Sequence, residues 1–208
     1  MKPFHYPENV HTRTQKPLQY NNYKKYKPYL REEFGKACIY CRKPDSLGDL
    51  DAFGVDHYRP KKKYPNLETD YSNLFYSCNT CNRRKGEFWP THTQVSNGQF
   101  VPNPCDYVMH QHLRSEPNGT VAAHSPAGTW TIDLLRLNEE ERLNFRRAII
   151  AALEHAISLE RKLINTLAQI DLKLGSVSAK NRDKLLSMKK EHKNKLEDVR
   201  NNLRTLGA

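Results

Sequence analysis

The amino-acid sequence predicts an α+β protein in which a small zinc-stapled core precedes a C-terminal antiparallel helical hairpin. Three observations carry this reading. Two C-x-x-C knuckles, Cys38-Ile39-Tyr40-Cys41 and Cys78-Asn79-Thr80-Cys81, stand thirty-six residues apart. Between them an extended apolar segment, Ala52-Phe53-Gly54-Val55, ends on Asp56-His57. From Asn138 onward, apolar residues recur instead at three- and four-residue steps, the spacing of helices. The 208 residues suffice for one to two domains of about 100–200 residues each, with a real core, although hydrophobic residues make up only 37% and mean hydropathy is −0.86. No apolar run reaches the roughly 18 residues of a transmembrane helix. The first thirty residues carry no apolar segment of a secretory signal, so a cytoplasmic chain with no membrane contact is expected. Five cysteines are too few and too patterned for a disulfide scaffold.

Four segments follow in order. Residues 1–36 read as an N-terminal arm and short helix. The arm is polar and tyrosine-rich, and Pro28 suits the first helical turn of Pro28–Phe34, which Gly35 ends. Leu30 and Phe34, four apart, face the core together, and the tyrosines at 20, 23, 26 and 29 are expected to pack rather than to stack on bases. Residues 37–90 form the core. Residues 91–137 read as short strands and loops, with Asn118-Gly119 as a two-residue hairpin turn between Tyr107–Arg114 and Thr120–His124. Residues 138–208 form the hairpin. Asn138 and Glu141 resemble a capping box. Ile149, Leu153, Ile157, Leu163, Leu167, Ile170 and Leu174 then mark one helix, and Leu185, Leu196, Val199, Leu203 and Leu206 a second, across a break at Gly175 to Ser178.

Each C-x-x-C knuckle can fill two corners of a tetrahedron, so Cys38, Cys41, Cys78 and Cys81 are expected to bind a zinc ion. Four sulfur ligands leave no open position, which makes that zinc structural, and its binding supplies much of the local folding free energy. A pair of redox motifs is the competing reading, but neither knuckle has a thioredoxin-like context. Cys105 is left over as a small buried residue. His92, His110, His112 and His124 show no ligand spacing and read as ordinary histidines.

The stretch between and around the knuckles reads Gly54-Val55-Asp56-His57-Tyr58-Arg59-Pro60-Lys61, then Tyr71-Ser72-Asn73-Leu74, then Cys78-Asn79-Thr80-Cys81-Asn82-Arg83-Arg84-Lys85-Gly86. This ordered set resembles the HNH endonucleases, whose ββα-metal fold carries a structural zinc, over residues 38–86. The longer runs, with Pro102-Asn103-Pro104-Cys105-Asp106 and Gly128-Thr129-Trp130-Thr131-Ile132, are similar to one subgroup, the nuclease subunits of Septu-type anti-phage systems, which often accompany an ATPase. In that subgroup Asp stands where this chain has Asn103.

His57 titrates near neutral pH and can take a proton from water. The resemblance implies that Asp56 and the side-chain oxygen of Asn82 hold one divalent ion, and few oxygen ligands favour Mg²⁺ or Mn²⁺. Asn73 would orient the loop by hydrogen bonding. Asp56 and His57, adjacent in an extended segment, point to opposite faces and need a bend to converge. The implied activity is hydrolysis of DNA to 5′-phosphate and 3′-hydroxyl ends, with the helical hairpin anchoring the chain to its ATPase.

The net charge of +11 is concentrated in residues 1–67 (+7) and 138–208 (+5), while 68–137 is nearly neutral (−1). This suits a polyanionic partner as well as plain solubility. Arg59, Lys61, Arg83, Arg84 and Lys85, with Lys62 and Lys63, bracket the site and are the candidates for phosphate contacts, which position without reading sequence. The alternative function is a non-catalytic Cys₄ module that binds nucleic acid or protein. It explains zinc and charge but not the Asp56, His57, Asn73 and Asn82 set.

Overall fold

The computed structural model describes residues 3–205 apart from Asp49 and Ser176, so Leu206 of the predicted apolar series and Ser176 of the predicted break lie outside the described residues. The chain divides into two compact units, Met1–Arg147 and Ala148–Ala208.

In the first unit, β1 (Phe53–His57) pairs antiparallel with β2 (Leu74–Cys78), from Phe53 opposite Cys78 to His57 opposite Leu74. The helix α2 (Asn79–Lys85) follows without a loop, giving a ββα core. Every residue of β2 is buried, which is why its sequence runs Leu-Phe-Tyr-Ser-Cys without alternation. The helix α1 (Lys27–Glu33) packs on it through Leu30 and Phe34, with the Phe34 and Phe75 rings 5.3 Å apart. Pro28 lies in the first turn of α1, and the chain leaves it through Gly35 at φ +64°, a left-handed conformation that suits glycine.

The arm is irregular, as expected, yet it belongs to the core. Tyr6 and Phe4 are buried, and the Tyr6 hydroxyl donates to the Tyr40 carbonyl at 3.0 Å. A 3-10 turn, Tyr23–Tyr26, leads into α1, with Tyr26 buried and Tyr20 and Tyr23 packed at the core's edge. The clamp is Glu33. Its buried carboxylate accepts from the Thr14 and Gln15 amides (2.7 and 3.0 Å) and the Tyr71 hydroxyl (3.1 Å). Burial pushes the Glu33 pKa up, but these hydrogen bonds outweigh it and hold the carboxyl below its ordinary value. A depressed folded-state pKa adds stability above the unfolded value, which is lost as pH falls through the folded one. Docking of the arm is therefore expected to weaken with acid, below the usual carboxylate range, and limited proteolysis against pH should show cleavage near Thr14 rising there. In Glu33→Gln that acid dependence should be missing.

Residues 91–138 depart from the expectation in three ways. First, the hairpin of β3 (Leu113–Ser115) and β4 (Val121–Ala123) is closed by three residues, not two. The Gly119 amide donates to the Glu116 carbonyl and Gly119 takes φ +83°, because Pro117 favours an ordinary turn that a left-handed residue must complete. Second, Gly128–Ile132 lies in a helix, α4 (Pro126–Leu135), rather than in strands and loops. Ser125 caps it by accepting from the Gly128 amide, and Pro126 sits in its first turn. Residue 128 must be glycine, since a Cβ would come 2.0 Å from the His112 carbonyl oxygen. Third, Asn138 does not cap the next helix. Its side chain pairs with both backbone groups of Val121 at 2.8 Å, and α5 (Glu140–Leu174) starts two residues later. A short helix, α3 (His92–Ser96), carries a capping box of Thr91 and Gln94.

The second unit pairs most of α5 with α6 (Ala179–Thr205) as the predicted antiparallel hairpin. Leu153, Leu163, Val199 and Leu203 form its buried cluster. Asp171–Lys189 near the turn and Glu160–Arg200 farther from it bridge the helices in antiparallel step. No helix among the described residues is long and apolar enough to cross a membrane.

Candidate active site and metal centre

The four knuckle cysteines converge. Cys38 and Cys41 lie on a tight turn that closes with the Cys38 amide on the Lys43 carbonyl and with Arg42 at φ +56°. The Ile39 amide bonds to the Tyr76 carbonyl and so registers this turn on β2. Cys78 ends β2 and caps α2, whose first turn presents Cys81. All four sulfurs are buried and lie within 4.8 Å of one another, with Cys41 and Cys78 3.8 Å apart. A tetrahedron with metal–sulfur bonds of about 2.3 Å has edges of about 3.8 Å, so the donor set and spacing fit a Cys₄ metal site. Hydrogen bonding among the thiols holds Cys41 well below the ordinary value, while burial pushes Cys38 up. The Arg142 guanidinium donates to the Cys81 sulfur at 3.0 Å, compensating thiolate charge from outside the ligand set.

One strand away, β1 delivers Asp56 and His57 side by side, and strand alternation sends them to opposite faces. They share no side-chain partner among the described residues. The His57 ring meets the Tyr23 ring at 4.6 Å, and Nε2 lies 2.9 Å from the Glu68 carbonyl oxygen. A carbonyl only accepts, so Nε2 carries the proton and Nδ1 of the neutral ring is the basic nitrogen. Burial holds the His57 pKa below its usual value, which favours that neutral form.

Asp56 lies inward, 3% exposed. One carboxylate oxygen accepts from the Tyr40 hydroxyl and the other from the Lys85 ammonium at 3.1 Å. Burial raises the Asp56 pKa, and Lys85 opposes that shift. The Lys85 ammonium balances the buried carboxylate, so both Asp56 oxygens are engaged by donors of the protein itself. The Asn82 amide nitrogen donates to the Val55 carbonyl at 3.3 Å, tying α2 to the middle of β1 and leaving Oδ1 as the acceptor end.

Asn73 clasps the loop between the strands. Its oxygen accepts from the Arg59 amide at 2.9 Å, and its nitrogen donates to the Arg59 and Leu67 carbonyls. That loop carries Glu68, the partner of His57, so Asn73 sets the ring's surroundings at one remove.

The basic residues separate. Lys85 is 3% exposed and also donates to the His57 carbonyl at 2.8 Å, which corrects the expectation that it meets phosphates from the surface. Its position, four residues after buried Cys81, places it on the inward face of α2. Arg84 is only half-buried but is engaged by the protein itself, on the Leu135 and Arg136 carbonyls and Glu139. Arg59, Lys61 and Arg83 remain exposed, with Arg59 over the Trp89 ring at 5.3 Å and Lys61 paired with Glu68 at 3.0 Å. Cys105 is half-buried at the edge of the core. Sequence reasoning missed Tyr40 and Arg142. Tyr40 follows from its place inside the first knuckle; Arg142, sixty-one residues from Cys81, leaves no local signal.

The chain is 29% identical over 169 residues to the Septu protein PtuB of Bacillus thuringiensis, an alignment that covers 78% of this chain and 61% of that one. The chain thus spans less than two thirds of that relative's length. Residues 38–88 match the family model of the HNH endonuclease. The segment that holds both knuckles, Asp56-His57, Asn73 and Asn82 is therefore similar to the HNH endonucleases, in sequence and in its ββα fold.

Proposed function

We propose that this chain is a metal-dependent HNH endonuclease that hydrolyses DNA as the nuclease of an anti-phage defence system. The observation that carries the reading is His57, held by the Glu68 carbonyl so that its Nδ1 is the basic nitrogen; Asp56 precedes it in β1, with its buried carboxylate on the opposite face of the strand. A Cys₄ module that only binds would need neither. In this reading zinc occupies Cys38, Cys41, Cys78 and Cys81 and fixes α2 against the first knuckle. Asp56 and Asn82 would hold Mg²⁺ or Mn²⁺, which when bound supplies positive charge to the scissile phosphate and the leaving oxygen.

His57 takes the proton from the attacking water at Nδ1, while Nε2 stays bonded to Glu68 and keeps the ring from turning. Asn73 is a positioning residue for that loop. Lys85 balances Asp56 from the protein side, and Arg59, Lys61 and Arg83 are the surface cations left to hold the phosphate backbone, so binding should weaken steeply with salt. Labelled duplex DNA, single-stranded DNA and RNA, incubated with Mg²⁺ or Mn²⁺, test this reading. DNA fragments with ligatable 5′-phosphate ends are expected, and cleavage of RNA alone would overturn the substrate assignment.

The helical pair is proposed to dock the ATPase subunit. Ile157, Ile164, Leu172 and Leu186 stand exposed on α5 and α6, with Leu172 at 79%. Leu172→Asp with Ile164→Asp should abolish co-purification with the ATPase and leave DNA cleavage unchanged. Undiminished co-purification would discard this surface. Arg142 and Arg146 brace the first unit through Cys81 and the Gly119 carbonyl, so the start of α5 belongs to that unit.

A further inference from the structure

We infer that His5, Glu8 and His110 form a second transition-metal site, separate from the four cysteines and from Asp56. One ligand atom from each of the three lies within 4.8 Å of the others. His5 Nε2 and Glu8 Oε1 are 3.6 Å apart, and the two imidazole rings have centroids 5.6 Å apart at a tilt of 43°. A tetrahedral ion with bonds of about 2.0–2.1 Å separates its ligand atoms by about 3.3 Å and places two bound imidazole centroids about 5 Å apart. The His5–Glu8 separation and the spacing of the two rings are therefore close to that geometry, and the remaining ligand separations are at most 4.8 Å.

The backbone already holds the three residues together. The His110 amide donates to the Pro7 carbonyl at 3.0 Å, and Arg42 Nε donates to the His5 carbonyl at 3.1 Å. Buried Tyr6 and Met109 flank the pair of histidines and anchor both segments in the core. His110 Nδ1 is sealed from solvent with no hydrogen-bond partner among the described residues, so the imidazole has an unsatisfied nitrogen in this cluster. Two imidazoles and one carboxylate form the donor set of an open zinc site, with a fourth position left to water or to a ligand from a partner. Borderline cations such as Zn²⁺, Co²⁺ and Ni²⁺ suit it better than Mg²⁺.

The test is zinc and cobalt stoichiometry on the full chain, measured in excess Mg²⁺ so that the Asp56 site is saturated. Wild type should bind about two equivalents, and His110→Ala and Glu8→Gln about one each, with the cysteine-bound ion retained. In cobalt-loaded protein the variants should keep the thiolate-to-metal charge-transfer band of the Cys₄ site and lose only visible absorption that has no thiolate character. Glu8 is largely exposed, so its variant keeps the fold, and a melting curve in EDTA superimposable on wild type verifies that. A wild-type stoichiometry of one would overturn the site, and so would a second equivalent that persists in both variants.

Discussion

His57→Ala is expected to abolish DNA nicking while leaving the fold and the cysteine-bound metal unchanged. Removing a general base costs about 10²–10⁴-fold in rate. The structural cost is small by comparison. Among the described residues the ring bonds to the Glu68 carbonyl and meets the Tyr23 ring edge-on at the end of β1, an interaction of about 1 kcal/mol plus a modest packing loss. Asp56, Lys85 and Tyr40 keep their mutual bonds in the variant, because none of them bonds to the imidazole. Supercoiled-plasmid nicking, a melting curve and zinc content should therefore separate, with the first lost and the other two kept. Nicking at the wild-type rate would remove His57 from the chemistry.

Cys38→Ser and Cys81→Ser are expected to do the opposite and take the metal and the fold away together. Structural zinc contributes apparent binding free energies of about 10–16 kcal/mol in small zinc modules, which exceeds the whole stability of most domains. The ion would join the first knuckle to the start of α2. Cys81 also accepts from Arg142, so its replacement disturbs the shorter of the two sulfur contacts of a half-buried guanidinium. Circular dichroism and metal analysis should show an unfolded core that binds no zinc. A folded, zinc-free and active serine variant would end the structural role assigned to the cluster.

Much of this was legible because it is local. The knuckles, the extended segment before Asp56-His57 and the Cys-Asn-Lys run on α2 each follow from spacing within a few residues, and α1 follows from Pro28, Gly35 and the Leu30–Phe34 pair, whereas β2, buried on both faces, has no alternation to announce it. What the sequence concealed is non-local. The basic run Arg83-Arg84-Lys85 reads as a solvated helix end, yet helical phase puts Lys85 over Cys81, inside, where a carboxylate from β1 needs a counter-charge. The arm reads as polar and loose because its order comes from hydrogen bonds to Glu33 rather than from an apolar stripe. Ser125-Pro126 signals a helix start, but the glycine two residues on hides it, and only the approach of the His112 carbonyl explains that glycine. His5 and His110 meet across more than a hundred residues, a juxtaposition that spacing cannot reveal.

The most direct test of the nuclease reading is a plasmid-relaxation assay on purified, zinc-loaded wild-type protein, run in Mg²⁺, in Mn²⁺ and after brief EDTA treatment that spares the buried cysteine site. The expected result is open-circular and linear DNA with either divalent ion and intact supercoiled DNA after chelation. Folded protein that shifts the plasmid on a gel but leaves it supercoiled with both ions would contradict the account and reduce the chain to a binding module.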